Sequence, residues 1–226
     1  MRPYFRSYLK SVYDPLPEMR DTFDLEEEFF LKMQNDWHFD NVMDFGCGIG
    51  RPLIKLAKNS PKSNFIGVDN DTKALAVARM KSVMVPNVHF VIDDILKMDT
   101  GFLEPETFNM AYSTFNLIGC FEEKDRGTLV KKMAETVHVG GFVINATWSR
   151  DIPERQFQKY YEHIGVKVLD IDREKTVTDR GTFYRVAIPE IMELYKANGI
   201  WPVYLSLGFD VANLGYLQAV VGQRKK

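Results

Sequence analysis

The stretch Asp44-Phe45-Gly46-Cys47-Gly48-Ile49-Gly50 decides the fold of this chain, because it joins a short apolar run to a segment with helical periodicity. Residues Val42 to Phe45 predict a buried strand, and a helix is predicted from about Arg51 to Asn59. The alternate glycines let the backbone turn sharply, and they leave no Cβ to block a ligand that lies against the turn. The N-terminal amides of the following helix would point at that ligand. Taken alone, the turn is equally compatible with a purely structural role.

The spacing of the glycines disfavours one class of cofactor. A dinucleotide-binding turn needs a third glycine three residues after Gly48, and Arg51 stands at that position. A nicotinamide or flavin site is therefore not expected.

Composition predicts one domain over residues 1–226. A chain of 226 residues, 45% apolar and 13% aromatic, is long enough to bury one sizeable core. Its formal net charge is -2, with acidic and basic residues interspersed. Electrostatic capture of nucleic acid or of an anionic membrane is therefore not expected.

The cysteines and the apolar segments predict a cytoplasmic protein. Cys47 and Cys120 lie in unrelated segments, without the spacing of a disulfide framework or a zinc site. The N-terminus carries no apolar core of signal-peptide length, and no segment reaches the roughly 18 apolar residues of a membrane span. We therefore expect free thiols in a reducing cytosol.

Strand and helix signals alternate along the first two thirds of the chain, after an amphipathic helix from about Asp24 to Asn35. Strands are predicted at Val42–Phe45, Asn64–Val68, Val88–Ile92, Met110–Ser113 and Phe142–Thr147, and helices at about Arg51–Asn59, Thr72–Met84 and Lys124–Val139. Repeated units of this size predict an α/β fold with a parallel sheet between two helical layers. Ligands bind such sheets at the carboxyl ends of the strands.

Beyond Thr147 the pattern changes to an antiparallel insertion at about residues 165–188. After a helix at Asp151–His163, Val166–Ile171 and Phe183–Ile188 alternate like strands. The polar stretch Asp172–Gly181 between them is interpreted as a turn. A helix at Pro189–Asn198 and strands at Pro202–Leu207 and Gly215–Gly222 then complete the chain.

The acid-x-Gly-x-Gly-x-Gly order of residues 44–50 resembles the first motif of class I S-adenosylmethionine-dependent methyltransferases. That resemblance implies a Rossmann-like, seven-stranded, mostly parallel sheet with helices on both faces and an antiparallel last strand. It places the insertion before the sixth strand. The implied cofactor is S-adenosyl-L-methionine, bound against the turn by Asp44, Gly46, Cys47, Gly48 and Gly50.

Asp69 ends the second predicted strand, nineteen positions after Gly50. This spacing suits a carboxylate that accepts both ribose hydroxyls of an adenosine lying across the glycine turn. The alternative is a cap on the next helix, a role that Asn70 and Asp71 can also fill. The resemblance assigns Asp69 and Asn70 to the cofactor site.

Asp93-Asp94-Ile95 follows the third predicted strand. In the resembled family an acid here accepts from the adenine amino group, and the next residue offers its backbone amide to the ring. These roles match Asp94 and Ile95. Asp93 in a shifted register, or a solvated acidic loop, are the alternatives.

The segment after the fourth predicted strand is expected beside the reacting methyl group. The resemblance places Ser113 near the methionine moiety of the cofactor, and Thr114, Phe115 and Asn116 with Trp148 on the acceptor side. Asp44 either contacts the methionine ammonium, directly or through water, or only organises the turn.

The N-terminal segment, about residues 1–22, is expected to act as a lid. In small-molecule members of the resembled family a segment like Tyr13-Asp14 closes over the cofactor, and a nearby basic residue pairs with its carboxylate. Arg20 is the candidate for that pair, although most surface arginines are only solvated.

Several absences narrow the acceptor. The turn after the fourth strand, Ser-Thr-Phe-Asn, differs from the Asn-Pro-Pro-Tyr and Asp-Pro-Pro-Tyr motifs of enzymes that methylate base or glutamine amide nitrogens. There is no Pro-Cys pair of the kind that attacks pyrimidine C5. Ser113 and Asn145 do not supply the acids that hold magnesium in catechol-type enzymes, so no metal is expected.

The resemblance therefore favours transfer of a methyl group to a nitrogen or oxygen of a small molecule. No catalytic residue is assigned, and the insertion either covers the substrate site or forms a homodimer. A methyltransferase acting on a protein or tRNA, and a catalytically inactive cofactor-binding protein, are the alternatives.

Overall fold

A computed structural model describes residues 5–99, 107–202 and 211–225 of the protein. The helices are α1 (Phe5–Tyr13), α2 (Pro17–Trp37), α3 (Arg51–Asn59), α4 (Thr72–Lys81), α5 (Glu123–Thr136), α6 (Glu154–His163) and α7 (Ile188–Ala197). The first strands are β1 (Asn41–Phe45), β2 (Asn64–Asp69), β3 (Val88–Ile92), β4 (Phe108–Ser113) and β5 (Val137–Trp148). The later strands are β6 (Val168–Ile171), β7 (Lys175–Thr178), β8 (Gly181–Tyr184), β9 (Ile200–Pro202), β10 (Val211–Leu214) and β11 (Leu217–Arg224).

The large sheet has the strand order β3-β2-β1-β4-β5-β11-β10. Strands β1 to β5 run parallel, and β11 is antiparallel to β5 and to β10. The predicted Rossmann-like sheet, mostly parallel with an antiparallel last strand, is therefore confirmed. Because β1 lies between β2 and β4, the strand order reverses there, and this is the place where α/β sheets bind ligands.

Alternating side chains along the strands divide the core into two layers. Val42 of β1 packs with residues of α2, α3 and α6 on one face, and Met43 packs with residues of α5 and α7 on the other. Burial on both faces explains why the strands are nearly continuous apolar runs.

The sixth position of the sheet is built differently from the prediction. The predicted strand Pro202–Leu207 lies largely outside the described residues. Instead, β9 and β10 pair with successive stretches of the same edge of β11. Together they fill the expected sixth position.

The insertion contains three strands rather than two. Strands β6, β7 and β8 form a small antiparallel sheet, and β7 falls inside the stretch interpreted as a turn. Thr176 and Thr178 are the buried residues of β7. Since threonine is polar but β-branched, a search for alternating apolar residues misses this strand.

Two further boundaries differ from the sequence prediction. Helix α2 begins at Pro17, seven residues before the predicted start, because proline is favourable in the first turn of a helix. Strand β5 begins at Val137, within the predicted helix, since Val137 and Val139 favour extended backbone. Among residues 5–99, 107–202 and 211–225, no helix combines the length and apolar character that crossing a bilayer requires.

Candidate functional site

A cavity of about 510 Å³ lies at the carboxyl ends of β1, β2, β4 and β5. This volume falls within the range of small-molecule sites. The sequence-predicted residues that line it are Gly46, Cys47, Gly48, Asp69, Asn70, Thr114, Phe115, Asn116 and Trp148. The fold therefore brings together residues from four strand ends that are up to about a hundred positions apart.

The glycine turn is fixed by backbone hydrogen bonds to the neighbouring strand. The amides of Gly46 and Cys47 both donate to the Val68 carbonyl, at 2.8 and 3.0 Å. Gly48 has φ +54°, and a Cβ at this position would lie 2.7 Å from the Tyr8 hydroxyl oxygen. Only glycine fits here without displacing Tyr8.

Asp69 joins the glycine turn to the end of β2. One carboxylate oxygen accepts from the Gly48 amide and the other from the Asp71 amide, both at 2.8 Å. Burial raises the pKa of Asp69, and these amides offset part of that effect. Asp71 caps α4 by accepting from the Lys73 and Ala74 amides, so the helix does not need Asp69 as its cap. Each Asp69 oxygen keeps a lone pair for a ligand hydroxyl.

Asp44 is fully buried near the end of β1, behind the cavity lining, and among the described residues neither of its carboxylate oxygens has a hydrogen-bond partner. Burial raises the pKa of Asp44 well above its usual range; the adjacent Tyr112 opposes this rise and the charge of Asp69 adds to it. Buried carboxylates are normally paired. The unpaired Asp44 therefore suits a ligand that brings a cationic donor.

Arg51 is a cavity residue that the sequence did not single out as one. Its guanidinium pairs with the buried Glu26 and with Glu27, and its Cζ lies 4.1 Å from the centre of the Phe23 ring. Burial lowers the pKa of Arg51 to about 10. No local signal marks these contacts, because the paired acids lie more than twenty residues away on α2.

The predicted partner of the cofactor carboxylate, Arg20, is exposed and does not line the cavity. The pairing of Arg20 with the cofactor carboxylate therefore finds no support in the cavity geometry. Arg51 is the arginine that the fold places at the cavity.

The N-terminal segment does cover the glycine turn, but through Tyr8 rather than Tyr13. Tyr8 and Phe5 line the cavity, whereas Tyr13 is 61% exposed and lies beside Lys81. Helix α1 is held against α6 by a buried hydrogen bond of 3.1 Å between the Ser11 and Tyr160 hydroxyls. The helical spacing of Tyr8 and Tyr13 puts them on different faces, which explains the correction.

Besides Asp44, four other predicted cofactor residues lie outside the cavity lining: Gly50, Asp94, Ile95 and Ser113. Asp94 pairs with Lys97 at 3.0 Å, and this contact lowers its pKa. Ile95 is buried in the core layer of α5 and α7, and Ser113 donates to Asn145 Oδ1 at 2.7 Å within the protein. Gly50 also lies outside the lining and accepts from the Ile54 amide at the start of α3.

Asn116 organises the segment after β4. Its backbone is left-handed, with φ +60°. Its side-chain oxygen accepts from the Trp148 amide and the Thr147 hydroxyl at 2.9 and 3.2 Å, and its amide group donates to the Tyr184 carbonyl at 3.0 Å. One side chain thus fixes the end of β5 and the end of β8 relative to the cavity.

Aromatic rings enclose the end of the cavity away from Asp69. We call Phe115, Trp148, Tyr161 and Phe183 the aromatic wall; all four line the cavity. Phe115 lies 5.2 Å from Trp148 and Tyr161 stacks on Phe183 at 5.5 Å, measured between ring centres. Tyr161 was not predicted, because the sequence gives no sign that α6 packs here. The wall gives this end of the cavity, beside the ends of β4 and β5, a largely aromatic surface.

Comparison with known proteins gives the same picture of the fold. Residues 42–141 match a family model described as a methyltransferase domain. A tRNA (guanine-N(7)-)-methyltransferase of Rubrobacter xylanophilus is 33% identical over 75 residues, which cover 32% of this chain and 33% of that protein. The chain spans between about a third and two fifths of the length of the curated relatives that it matches.

Solved structures resemble the whole chain. The PH0226 protein from Pyrococcus horikoshii superposes with a TM-score of 0.73 at 18% identity, over 100% of both chains. The 1,6-didemethyltoxoflavin-N1-methyltransferase of Burkholderia thailandensis, solved with 1,6-didemethyltoxoflavin and S-adenosylhomocysteine, gives a TM-score of 0.65 at 15% identity, over 98% of this chain and 87% of that one. At these identities the likeness shows the fold.

Proposed function

We propose, on the premise that residues 42–141 form a methyltransferase domain, that this protein transfers a methyl group from S-adenosyl-L-methionine to a nitrogen or oxygen of a small molecule. The observation that carries the proposal is one juxtaposition. The unpaired, buried Asp44 carboxylate, the close-fitting Gly48 and the Asp69 carboxylate all belong to the same strand-turn-helix-strand unit at the switch point of the sheet.

Two residues of the cavity lining, Gly48 and Asp69, and Asp44 behind it fit this cofactor. Asp44 would accept from the methionine ammonium, which supplies the cationic donor that the carboxylate lacks. Asp69 would accept from the ribose hydroxyls while keeping its bonds to the Gly48 and Asp71 amides. The absence of a side chain at Gly48 would leave room for the methionine moiety beside Tyr8.

When bound, the cofactor supplies a methyl group activated by a positively charged sulfur. The protein's own contribution is positioning and the exclusion of water. Asn116 holds Trp148 at the acceptor side, and Tyr8 on α1 covers the glycine turn. The acceptor would reach the methyl group in line, and its heteroatom would lose a proton if it carries one.

A macromolecular acceptor is the second candidate. The similarity of 75 residues to a tRNA methyltransferase favours it, whereas the net charge of -2 disfavours binding of nucleic acid. The roughly 510 Å³ cavity and its aromatic wall support a small acceptor instead. We also propose that the protein acts in the cytoplasm.

Titration calorimetry with S-adenosylmethionine and S-adenosylhomocysteine tests the cofactor directly. Radiolabelled methyl transfer to a panel of amines, phenols and carboxylic acids, with bulk tRNA and a protein extract as parallel arms, then tests the acceptor class. Label in a small molecule supports the proposal, and label only in tRNA or protein contradicts it. Tight binding of S-adenosylmethionine without methyl transfer to any of these acceptors would identify a cofactor-binding protein that lacks catalysis.

A further inference from the structure

Arg185 carries a buried charge, and no carboxylate among the described residues forms a hydrogen bond with it. The residue is 1% exposed, and its Nε and Nη2 atoms have no hydrogen-bond partner in the described part of the chain. The remaining nitrogen, Nη1, lies 3.4 Å from the Ile152 carbonyl oxygen, and Cζ lies 4.0 Å from the centre of the Phe157 ring. Carbonyl and ring contacts stabilise a cation only partly.

Such a charge is costly in a folded protein. An arginine does not escape the cost by losing its proton, because its pKa stays far above neutral. Burial lowers the pKa of Arg185, while the acids Glu154 and Asp172 oppose that change from a distance. A buried ion without a close counterion therefore indicates that a partner of opposite charge is supplied from outside the described part of the chain.

The alternation of side chains places Arg185 behind the aromatic wall. Tyr184 faces Arg126, whose Cζ lies 4.8 Å from the Tyr184 ring centre. Phe183 and Arg185 face the opposite way, toward α6, where Phe183 stacks on Tyr161 and Arg185 covers Phe157. The guanidinium thus lies against Phe157 of α6, and its charge acts on Tyr161 of the aromatic wall. Arg185 also lines a second cavity, with Arg150, Glu174 and Glu190.

We propose that Arg185 determines specificity by selecting an aromatic or similarly flat acceptor that carries a carboxylate. This inference rests on the proposed function, because it names the acceptor class of the same cavity. The planar guanidinium fork matches a carboxylate, and the aromatic wall matches the apolar body of such a molecule. The acids that line the cavity, Asp69 and Asp71, lie beside the glycine turn and leave the acceptor end without negative charge.

Pairing of the Arg185 guanidinium with an acceptor carboxylate requires a small movement of the aromatic wall. The two unpaired nitrogens are covered by protein, so an acceptor reaches them only when a wall ring turns aside. Phe183 is suited to this, because it is only partly buried and belongs to a four-residue strand of the small sheet.

Calorimetry on the full chain saturated with S-adenosylhomocysteine tests the proposal with matched pairs of probes. The pairs are 4-hydroxybenzoate with 4-hydroxybenzamide, and 4-aminobenzoate with 4-aminobenzamide. In the wild type we expect each acid to bind at least about tenfold more tightly than its amide, the ratio that one charge-assisted contact provides. Arg185→Met should remove the preference for the acid over the amide, and Arg185→Lys should keep part of that preference.

The exposed Arg155 on α6 supplies the control, since Arg155→Met changes the net charge equally and should leave the ratio unchanged. Binding of S-adenosylhomocysteine by each variant shows that it is folded. Three results would overturn the proposal: equal binding of acid and amide, a preference that survives Arg185→Met, or binding of neither acid to the loaded wild type. Failure of the wild type to bind S-adenosylhomocysteine would instead contradict the proposed function.

Discussion

The carboxylate of Glu26 on α2 pairs with the guanidinium of Arg51 in the first turn of α3, across 25 positions of the chain. Glu26 is fully buried, and its other oxygen accepts from the Phe115 amide at 3.4 Å. This pair therefore connects the N-terminal helices, the glycine turn and the segment after β4.

We expect Arg51→Met to destabilise the protein by about 3 to 5 kcal/mol, because it leaves the buried Glu26 carboxylate without its cationic partner. Glu26→Gln should cost less, because Arg51 keeps its pair with Glu27. Urea denaturation measures the loss. The double variant should lose less than the sum of the single changes. Strictly additive losses would show that the two side chains act independently.

Asp69→Ala should weaken binding of S-adenosylhomocysteine by roughly 2 to 4 kcal/mol, since two hydrogen bonds to a charged acceptor are lost. Calorimetry checks this. The exposed Asp40 before β1 provides a matched control, and Asp40→Ala should bind like the wild type. Unchanged affinity in folded Asp69→Ala would remove this residue from the cofactor site.

Gly48→Val should abolish cofactor binding, because a side chain at this position collides with Tyr8 and fills the space beside it. Gly165 has a similar positive φ, +72°, but no atom lies within 4 Å of where its Cβ would be. Gly165→Val therefore separates backbone strain from steric exclusion and should still bind. A Gly48→Val protein that binds normally would mean that the turn faces elsewhere.

Asp44→Asn should make the ligand-free protein more stable at neutral pH and weaken its affinity for S-adenosylmethionine. Since the folded pKa of Asp44 lies above its ordinary value of 3.8, the unfolded chain releases this proton first as the pH rises. Between the two pKa values the unfolded state binds fewer protons, so stability falls as the pH rises.

The stabilising effect of Asp44→Asn should therefore shrink as the pH falls toward 3.8, because below that value Asp44 is protonated in both states. Melting temperatures of both proteins from pH 4 upward measure this. If the melting temperatures of wild type and variant differed by the same amount at every pH, Asp44 would not have the raised pKa that its burial predicts.

Asn116→Ala should destabilise the protein by about 2 to 4 kcal/mol, because three hydrogen bonds of its side chain are lost at about 0.5 to 1.5 kcal/mol each. Turnover of any acceptor found by screening should fall further than cofactor affinity, since Trp148 loses its anchor. If turnover and cofactor affinity fell by the same factor, Asn116 would have no particular role at the acceptor side.

Sequence reasoning succeeded where the signal is local. The turn at Gly46–Gly50 and the acid at Asp69 follow from strand ends, glycine spacing and helix starts within thirty residues. Arg51, Tyr8 and Tyr161 were missed as cavity residues, because their positions depend on packing between distant helices. Asp94 was assigned to the cofactor from the family resemblance, and its pairing with Lys97 is a local contact that competes with that role.

The residues around the glycine turn and most residues of the aromatic wall come from separate stretches of the chain. Gly46, Gly48 and Asp69 belong to the stretch 42–141 that matches the methyltransferase domain, whereas Trp148, Tyr161, Phe183 and Arg185 lie beyond it. Under the proposed function, changes confined to residues 148–185 would therefore alter three of the four rings of the aromatic wall without touching the residues proposed to hold the methyl donor. Proteins that resemble this chain only over residues 42–141 would then share the proposed methyl source and differ in the acceptor.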